Sequence, residues 1–206
     1  MNTDERKDAA PDRLRLDKRA ELYLDAALGD RLELVRPALE SIGYFEAPAS
    51  AGHHLAARGG LLRHSVNVTE RLLALTDAMN IYWPRRESPY IVGMFHDLVK
   101  CRCYRAVPCA AQDAPPRRWE RVQPEFPGHG ACSVAIAASL GIELKAPEVA
   151  AITYHMGHWG VGKEYDEDTF NAAMDIFAPC IIAAHCADWF AAKVDESLAT
   201  EAEAEG

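Results

Sequence analysis

Residues 89–100 read PYIVGMFHDLVK, an apolar run that leads straight into His96 and Asp97, with Lys100 close behind. Its length and apolarity predict a helix over 89–100 that ends around Lys100 to Cys103. An imidazole and an ionised carboxylate on such a helix are costly to bury, because both lose water that nothing apolar replaces. The pair is therefore either the polar end of a helix or half of a metal site whose other ligands lie elsewhere in the chain.

The flanking sequence is helical on both sides. Upstream, LLRHSVNVTERLLALTDAM (61–79) sets Leu61, Val66, Val68, Leu72, Leu73 and Leu75 in an apolar stripe, with His64 in the first turns. LRLDKRAELYLDAAL (14–28) carries leucines at 14, 16, 22, 24 and 28, as one amphipathic helix would, and RLELVRPALESIGYF (31–45) predicts a helix ending near Ile42, interrupted by Pro37 and closed by Gly43. Downstream, GHGACSVAIAASLGI (128–142) reads as a helix between glycines, and APEVAAITYHMGH (146–158) as another with Pro147 in its first turn. DEDTFNAAMDIF (166–177) and PCIIAAHCADWFAAKV (179–194) read as the last two. Residues 104–128 hold five of the twelve prolines together with RRWERVQ (117–123), and form a Pro-rich loop or short hairpin insertion. With no internal repeat and no linker, the expected fold is all-α: a flexible N-terminus (1–12), one helical bundle (13–195) and an acidic flexible tail (196–206).

A chain of 206 residues is long enough for one real core, and 49% hydrophobic with 26% charged residues is the balance of an ordinary globular protein. No uninterrupted apolar run approaches the roughly 18 residues of a membrane span, and the charged start MNTDERKDAA has no apolar stretch behind it, so the expectation is a cytoplasmic protein with no membrane partner. The six cysteines are expected as free thiols, and the C-x-C of Cys101 and Cys103 lacks the second pair of a thiolate zinc site. A net charge of −9 disfavours nucleic acid as a partner, while a small anion held by a metal is compatible with it.

His64, His96, His129 and His155, four of only eight histidines, each lie in or at the end of a different expected helix; Asp97 follows His96, and Asp188 sits in the last apolar helix. A divalent cation would compensate all of them by drawing nitrogen and oxygen lone pairs from converging helices. Two carboxylates and four imidazoles are enough for two metals with Asp97 bridging. Mixed imidazole and carboxylate ligation without thiolate suits Mn, Fe, Co, Ni or Zn more than Ca.

In GGLLRHS (His64), MFHDLVK (His96, Asp97, Lys100), FPGHGACS (His129), ITYHMG (His155) and AHCADWFAA (Asp188), the chain resembles the HD-domain metal-dependent phosphohydrolases over residues 41–194, in the two-metal subgroup. The resemblance implies an HD-type helical domain and a phosphoric ester hydrolase. His64, His96, Asp97 and Asp188 would take one metal, and Asp97, His129 and His155 a second. The expected substrate is a nucleotide or another small phosphoester. HHLAARGGLLRHS (53–65) looks like the nuclease and phosphodiesterase branch, so a 3′–5′ exonuclease on short single strands is an alternative, although the accompanying oligonucleotide-binding barrel is missing. A minority of the family resembles myo-inositol oxygenase, and the ligand set alone does not separate hydrolysis from diiron oxygenase chemistry.

Other residues are weighed beside these. Lys100 shares a helix face with His96 and Asp97 and would neutralise charge on a phosphoryl oxygen, with a surface lysine near a helix end as its bland reading. His54 is a candidate general acid or leaving-group contact, and His158 a candidate substrate contact. Arg63, Arg117, Arg118 and Arg121 are candidate anion clamps, and Trp119 and Trp159 candidate base-stacking platforms. His185 is read as a core histidine bonded to a backbone carbonyl.

Overall fold

The computed structural model describes residues 5–52, 55–107, 119–122 and 128–196, with side chains from Arg15 onward. His53, His54, Cys109, Arg117, Arg118 and the segment from residue 197 lie outside the described residues. The fold is all-α: α1 (Glu5–Leu28), α2 (Leu32–Ser41), α3 (Gly60–Ala78), α4 (Ser88–Phe95), α5 (Lys100–Cys103), α6 (His129–Ser139), α7 (Ala146–Thr153) and α8 (Glu167–Phe190). A two-stranded antiparallel ribbon of β1 (Tyr104–Ala106) and β2 (Trp119–Arg121) closes the ends of the Pro-rich insertion, in the register Tyr104 opposite Arg121. α1 begins inside the segment expected to be a flexible N-terminus.

α3 is the spine. Its first half joins Leu61, Leu62 and Val66 to a core built with α1, α2, α4 and α6, while its second half joins Val68 and Leu72 to a core built with Trp83, α7 and α8. A helix buried on both sides has no polar face to spare, so even Ser65, Thr69 and His64 are at most 1% exposed. In α1 the buried stripe is Ala20, Leu24 and Ala27, and Leu22, expected on that stripe, points out at 62% exposure. The 3.6-residue period sets it about 160° away from Leu24.

Two expected helices come out differently. The 89–100 helix ends at Phe95; over 96–102 the chain tightens into i→i+3 bonds, among them Lys100 N–H to Asp97 O at 2.9 Å and Arg102 N–H to Val99 O at 2.9 Å. In this geometry residues three apart eclipse, which stacks Lys100 over Asp97. The last two helices join into one, α8, across a kink at Phe177 (φ −122°, ψ 15°), just before Pro179. A π-helical turn (Ala191–Asp195) then carries the chain on. Among the described residues one segment, Glu167–Asp195, is long and apolar enough to cross a membrane by length and composition, and only 28% of its most apolar window is buried. Isolated acidic residues break the run in the sequence without lowering its mean hydropathy much.

Glu148, fully buried, ties α7 to the start of α4. It accepts from Arg85 Nε and Nη2 (2.8 Å each), from Ser88 Oγ (2.7 Å) and from the backbone N–H of Lys145 (2.7 Å). Four donors satisfy a carboxylate that burial would otherwise make costly.

Gly93 lies where α4 crosses α3, and a Cβ there would stand 2.6 Å from the Thr69 Cα. Because the obstacle is backbone, Gly93→Ala must push the two helices apart, and is expected to destabilise the fold by about 2–3 kcal/mol, read as a lower midpoint in urea or thermal unfolding.

Candidate metal centre

The four histidines arrive on four elements, and each stands next to a glycine at which the chain packs too closely for a side chain. Gly60, four residues before His64, would put a Cβ 3.0 Å from Ala49 N. Gly93 precedes His96 by three. Gly130, beside His129, would meet Thr153 C at 2.7 Å, and Gly157, two beyond His155, the His185 ring at 2.9 Å. Close approach of the backbones lets short imidazole arms from separate elements reach one point.

Asp97 is at that point, 2% exposed. Its Oδ2 lies 2.5 Å from Lys100 Nζ, 3.3 Å from His96 Nε2 and 3.4 Å from His64 Nε2; its Oδ1 bonds His129 Nε2 and lies 3.6 Å from His155 Nε2. Asp188 Oδ1 faces the first group, 3.0 Å from His64 Nε2 and 3.8 Å from His96 Nε2. The carboxylate of Asp97 is thus shared between two donor sets, His64–His96–Asp97–Asp188 and Asp97–His129–His155, in each of which the donor atoms lie within 4.8 Å of one another. Ligands bound at about 2.1 Å to a common cation are separated from each other by roughly 3–4.2 Å. The separations of the first set, and that between Asp97 Oδ1 and His155 Nε2, fall in that range, while Asp97 Oδ1 and His129 Nε2 stand closer, in direct hydrogen-bond contact.

The tautomers also suit a cation. His96 Nδ1 lies 2.9 Å from Gly93 O and His155 Nδ1 lies 2.7 Å from Ile152 O. A carbonyl only accepts, so Nδ1 carries the hydrogen in both rings and each Nε2 is turned into the cluster, as metal-binding imidazoles require. His96 Nε2 is buried and makes no hydrogen bond among the described residues. This cluster of His and Asp donors could hold a metal ion.

The charge states of the cluster's side chains follow from the same contacts. Burial would raise Asp97, but Lys100, His96 and His129 hold it well below the usual carboxylate range; Asp188, also pushed up by burial, is pulled well below it by His64 and His96. Burial and then the Lys100 charge oppose protonation of His64, yet its bonds to Asp188, Asp97 and Glu196 lift it well above the ordinary imidazole value. Burial likewise opposes His96, and Asp97 with Asp188 overcomes it, raising the ring to about 9. His155 goes the other way, to about 4, through burial and then the neighbouring His96 charge.

Several candidates are not among the cluster's donors. His158 is exposed on the turn after His155, and Trp159 beside it is 66% exposed. Arg63 is half-buried, one residue before His64 and so about 100° from it around α3. Arg121 is exposed and Trp119 half-buried on β2. His185 bonds the backbone carbonyl of His155 through Nδ1 (2.7 Å), the role the sequence suggested, and so helps to fix the strand of chain that carries a donor.

Glu196 was missed. The first residue of the segment read as an acidic tail, it is 1% exposed and its Oε1 lies 2.8 Å from His64 Nδ1 and 3.3 Å from Asn67 Nδ2. It orients the His64 ring as the carbonyls orient His96 and His155, but through a carboxyl side chain. Helical spacing gave no signal for it, since two α-helical turns beyond Asp188 fall at Asp195, and the π-helical turn at 191–195 moves Glu196 into that place. No protein-family model, no curated protein and no solved structure matches this chain.

Asp97→Ala, which removes the oxygens shared by both donor sets, should abolish bound divalent metal by elemental analysis while far-UV circular dichroism keeps its helical signal. Glu196→Ala should weaken metal affinity about 10- to 100-fold in a competition titration with a chromogenic chelator, and Glu196→Gln, which keeps an acceptor, should lose less.

Proposed function

We propose that the chain is an HD-type metal-dependent phosphohydrolase that cleaves a nucleotide or another small phosphoester. His64, His96, Asp97 and Asp188 would hold one divalent ion, and Asp97, His129 and His155 a second. Such ions supply Lewis acidity toward a phosphoryl oxygen and a hydroxide nucleophile at neutral pH.

What supports the reading above all is Lys100, 2.5 Å from Asp97 Oδ2 and 15% exposed, at the rim of the donor set. Burial would lower its pKa, but Asp97 and Asp188 raise it, so the ammonium stays charged. Placed there, it offsets the negative charge that grows on phosphoryl oxygens as the ester bond breaks, in a site where little water competes. Asp188 and His129, 20% and 23% exposed, are the donors open to solvent and mark the side from which a small substrate enters. His158, exposed nearby in sequence, is available to a substrate at that mouth, and Arg63 is a more distant candidate for its anionic part. A cationic Lys100 favours phosphate over dioxygen as the substrate of this donor set, and the net charge of −9 favours a small ester over a nucleic-acid strand.

Protein loaded in turn with Mn, Fe, Co, Ni and Zn should release phosphate or nucleoside from a panel of nucleotides and p-nitrophenyl phosphoesters. Lys100→Ala should keep its metal and lose about 10²-fold in kcat. Oxygen uptake by the iron-loaded protein with no ester hydrolysis in any metal would move the assignment to an oxygenase, and trimming of a labelled oligonucleotide with no action on mononucleotides would move it to an exonuclease.

A further inference from the structure

α8 carries apolar surface that its own fold leaves uncovered. Residues 179, 182, 186 and 189, on the regular stretch of α8 beyond the Phe177 kink, are all exposed at the alternating three- and four-residue spacing of a coiled-coil seam turned to solvent, and exposed Asp175, before the kink, and Lys193, on the π-helical turn after α8, stand four residues beyond either end. The seam reads Asp, Pro, Ile, Cys, Trp, Lys, with Ile182 49% and Trp189 53% exposed, and Ile176 (70%) and Phe190 (48%) flank it. Asp188 faces the metal centre from the other side of the same helix, so the seam is separate from the site.

We propose that this seam is the contact of a symmetric dimer, in which α8 packs antiparallel against α8 of a second copy about a two-fold axis near Ala184. The six positions are symmetric about that residue. An antiparallel two-fold places Asp175 against Lys193, Pro179 against Trp189 and Ile182 against Cys186, each pair occurring twice, as an isologous interface requires. The charges select this orientation, since parallel helices would set Asp175 on Asp175 and Lys193 on Lys193. They also select a copy of the chain over an anionic membrane surface, which the Asp175 end of the helix and the net charge of −9 would oppose. One helix seam falls short of the about 800 Å² per partner that a stable interface buries. Tyr82 extends it: 85% exposed, with its carbonyl 3.7 Å from Cys180 Sγ, it lies beside the half of α8 that meets the Trp189 half of the partner helix.

Sedimentation velocity over a concentration series should show a monomer–dimer equilibrium in the wild-type chain. Ile182→Glu should leave only monomer, with unchanged circular dichroism. Asp175→Lys or Lys193→Asp alone, setting like charges together, should weaken the dimer by roughly tenfold, and the two combined should restore it. A chain that stays monomeric at every concentration overturns the proposal, as does a dimer indifferent to all of these substitutions. A monomer that sediments with phosphatidylcholine vesicles, and ceases to when Ile182 becomes Glu, assigns the face to lipid and overturns it as well.

Discussion

Asp97 is a carboxylate almost without solvent, and every element of the site is arranged around supplying it with positive charge or hydrogen-bond donors. Its two oxygens look in different directions, Oδ2 to Lys100, His96 and His64, Oδ1 to His129 and His155. An isolated buried carboxylate would take up a proton. Here five basic groups surround it, and it stays ionised. The local chain prepares this: the helix that delivers Asp97 gives way to i→i+3 bonding at that residue, which eclipses Lys100 over it.

Short side chains converge only if their backbones do, and the glycines at 60, 93 and 130 mark where the approach is closest, while Gly157 leaves room for the His185 ring. Imidazole rings then sit 5.0–5.4 Å apart, centre to centre, from His64 through His96 and His155 to His129. The Glu148 network does the same work at a distance, fixing α7 against the start of α4 so that His155, just past one, and His96, just past the other, keep their separation. Precision at the centre comes from packing and hydrogen bonds that contain no donor to the centre itself.

Most of the helices were legible because their apolar periods are long and their ends carry glycine or proline. The gathering of His64, His96, Asp97, His129, His155 and Asp188 was legible for a different reason: these are residues that apolar helices cannot bury singly. What was not legible turns on geometry within one or two residues. Nothing in FHDLVK announces the change from i→i+4 to i→i+3 bonding at His96. Leu22 is as apolar as Leu24, and only its angle around the helix separates them. Glu196 hides among the acidic residues that follow it, and a turn of π-helix brings it, not Asp195, onto His64; Asp195 pairs with Arg71 instead. His54 and the parts of the Pro-rich insertion at 108–118 and 123–127 lie outside the described residues.

α8 shows how the demands of the centre shape the rest of the surface. For Asp188, a short side chain, to reach His64 at 3.0 Å, the helix must lie close to α3, and beyond Ile181 its inward positions are small: Ala183, Ala184, Ala187 and, at the start of the π-helical turn, Ala191 are all at most 4% exposed. Alanines permit close approach but bury little area each, and beyond the buried Ile181 the large apolar residues Ile182, Trp189 and Phe190 stand on the outer side. Phe190 finds partial cover beneath the Arg71 guanidinium, 4.6 Å from its ring centre, and Trp189 against the His185 ring, 6.0 Å between centres. The close packing that aims a carboxylate inward and the apolar seam left outward are thus two consequences of one choice of residue size along the same helix.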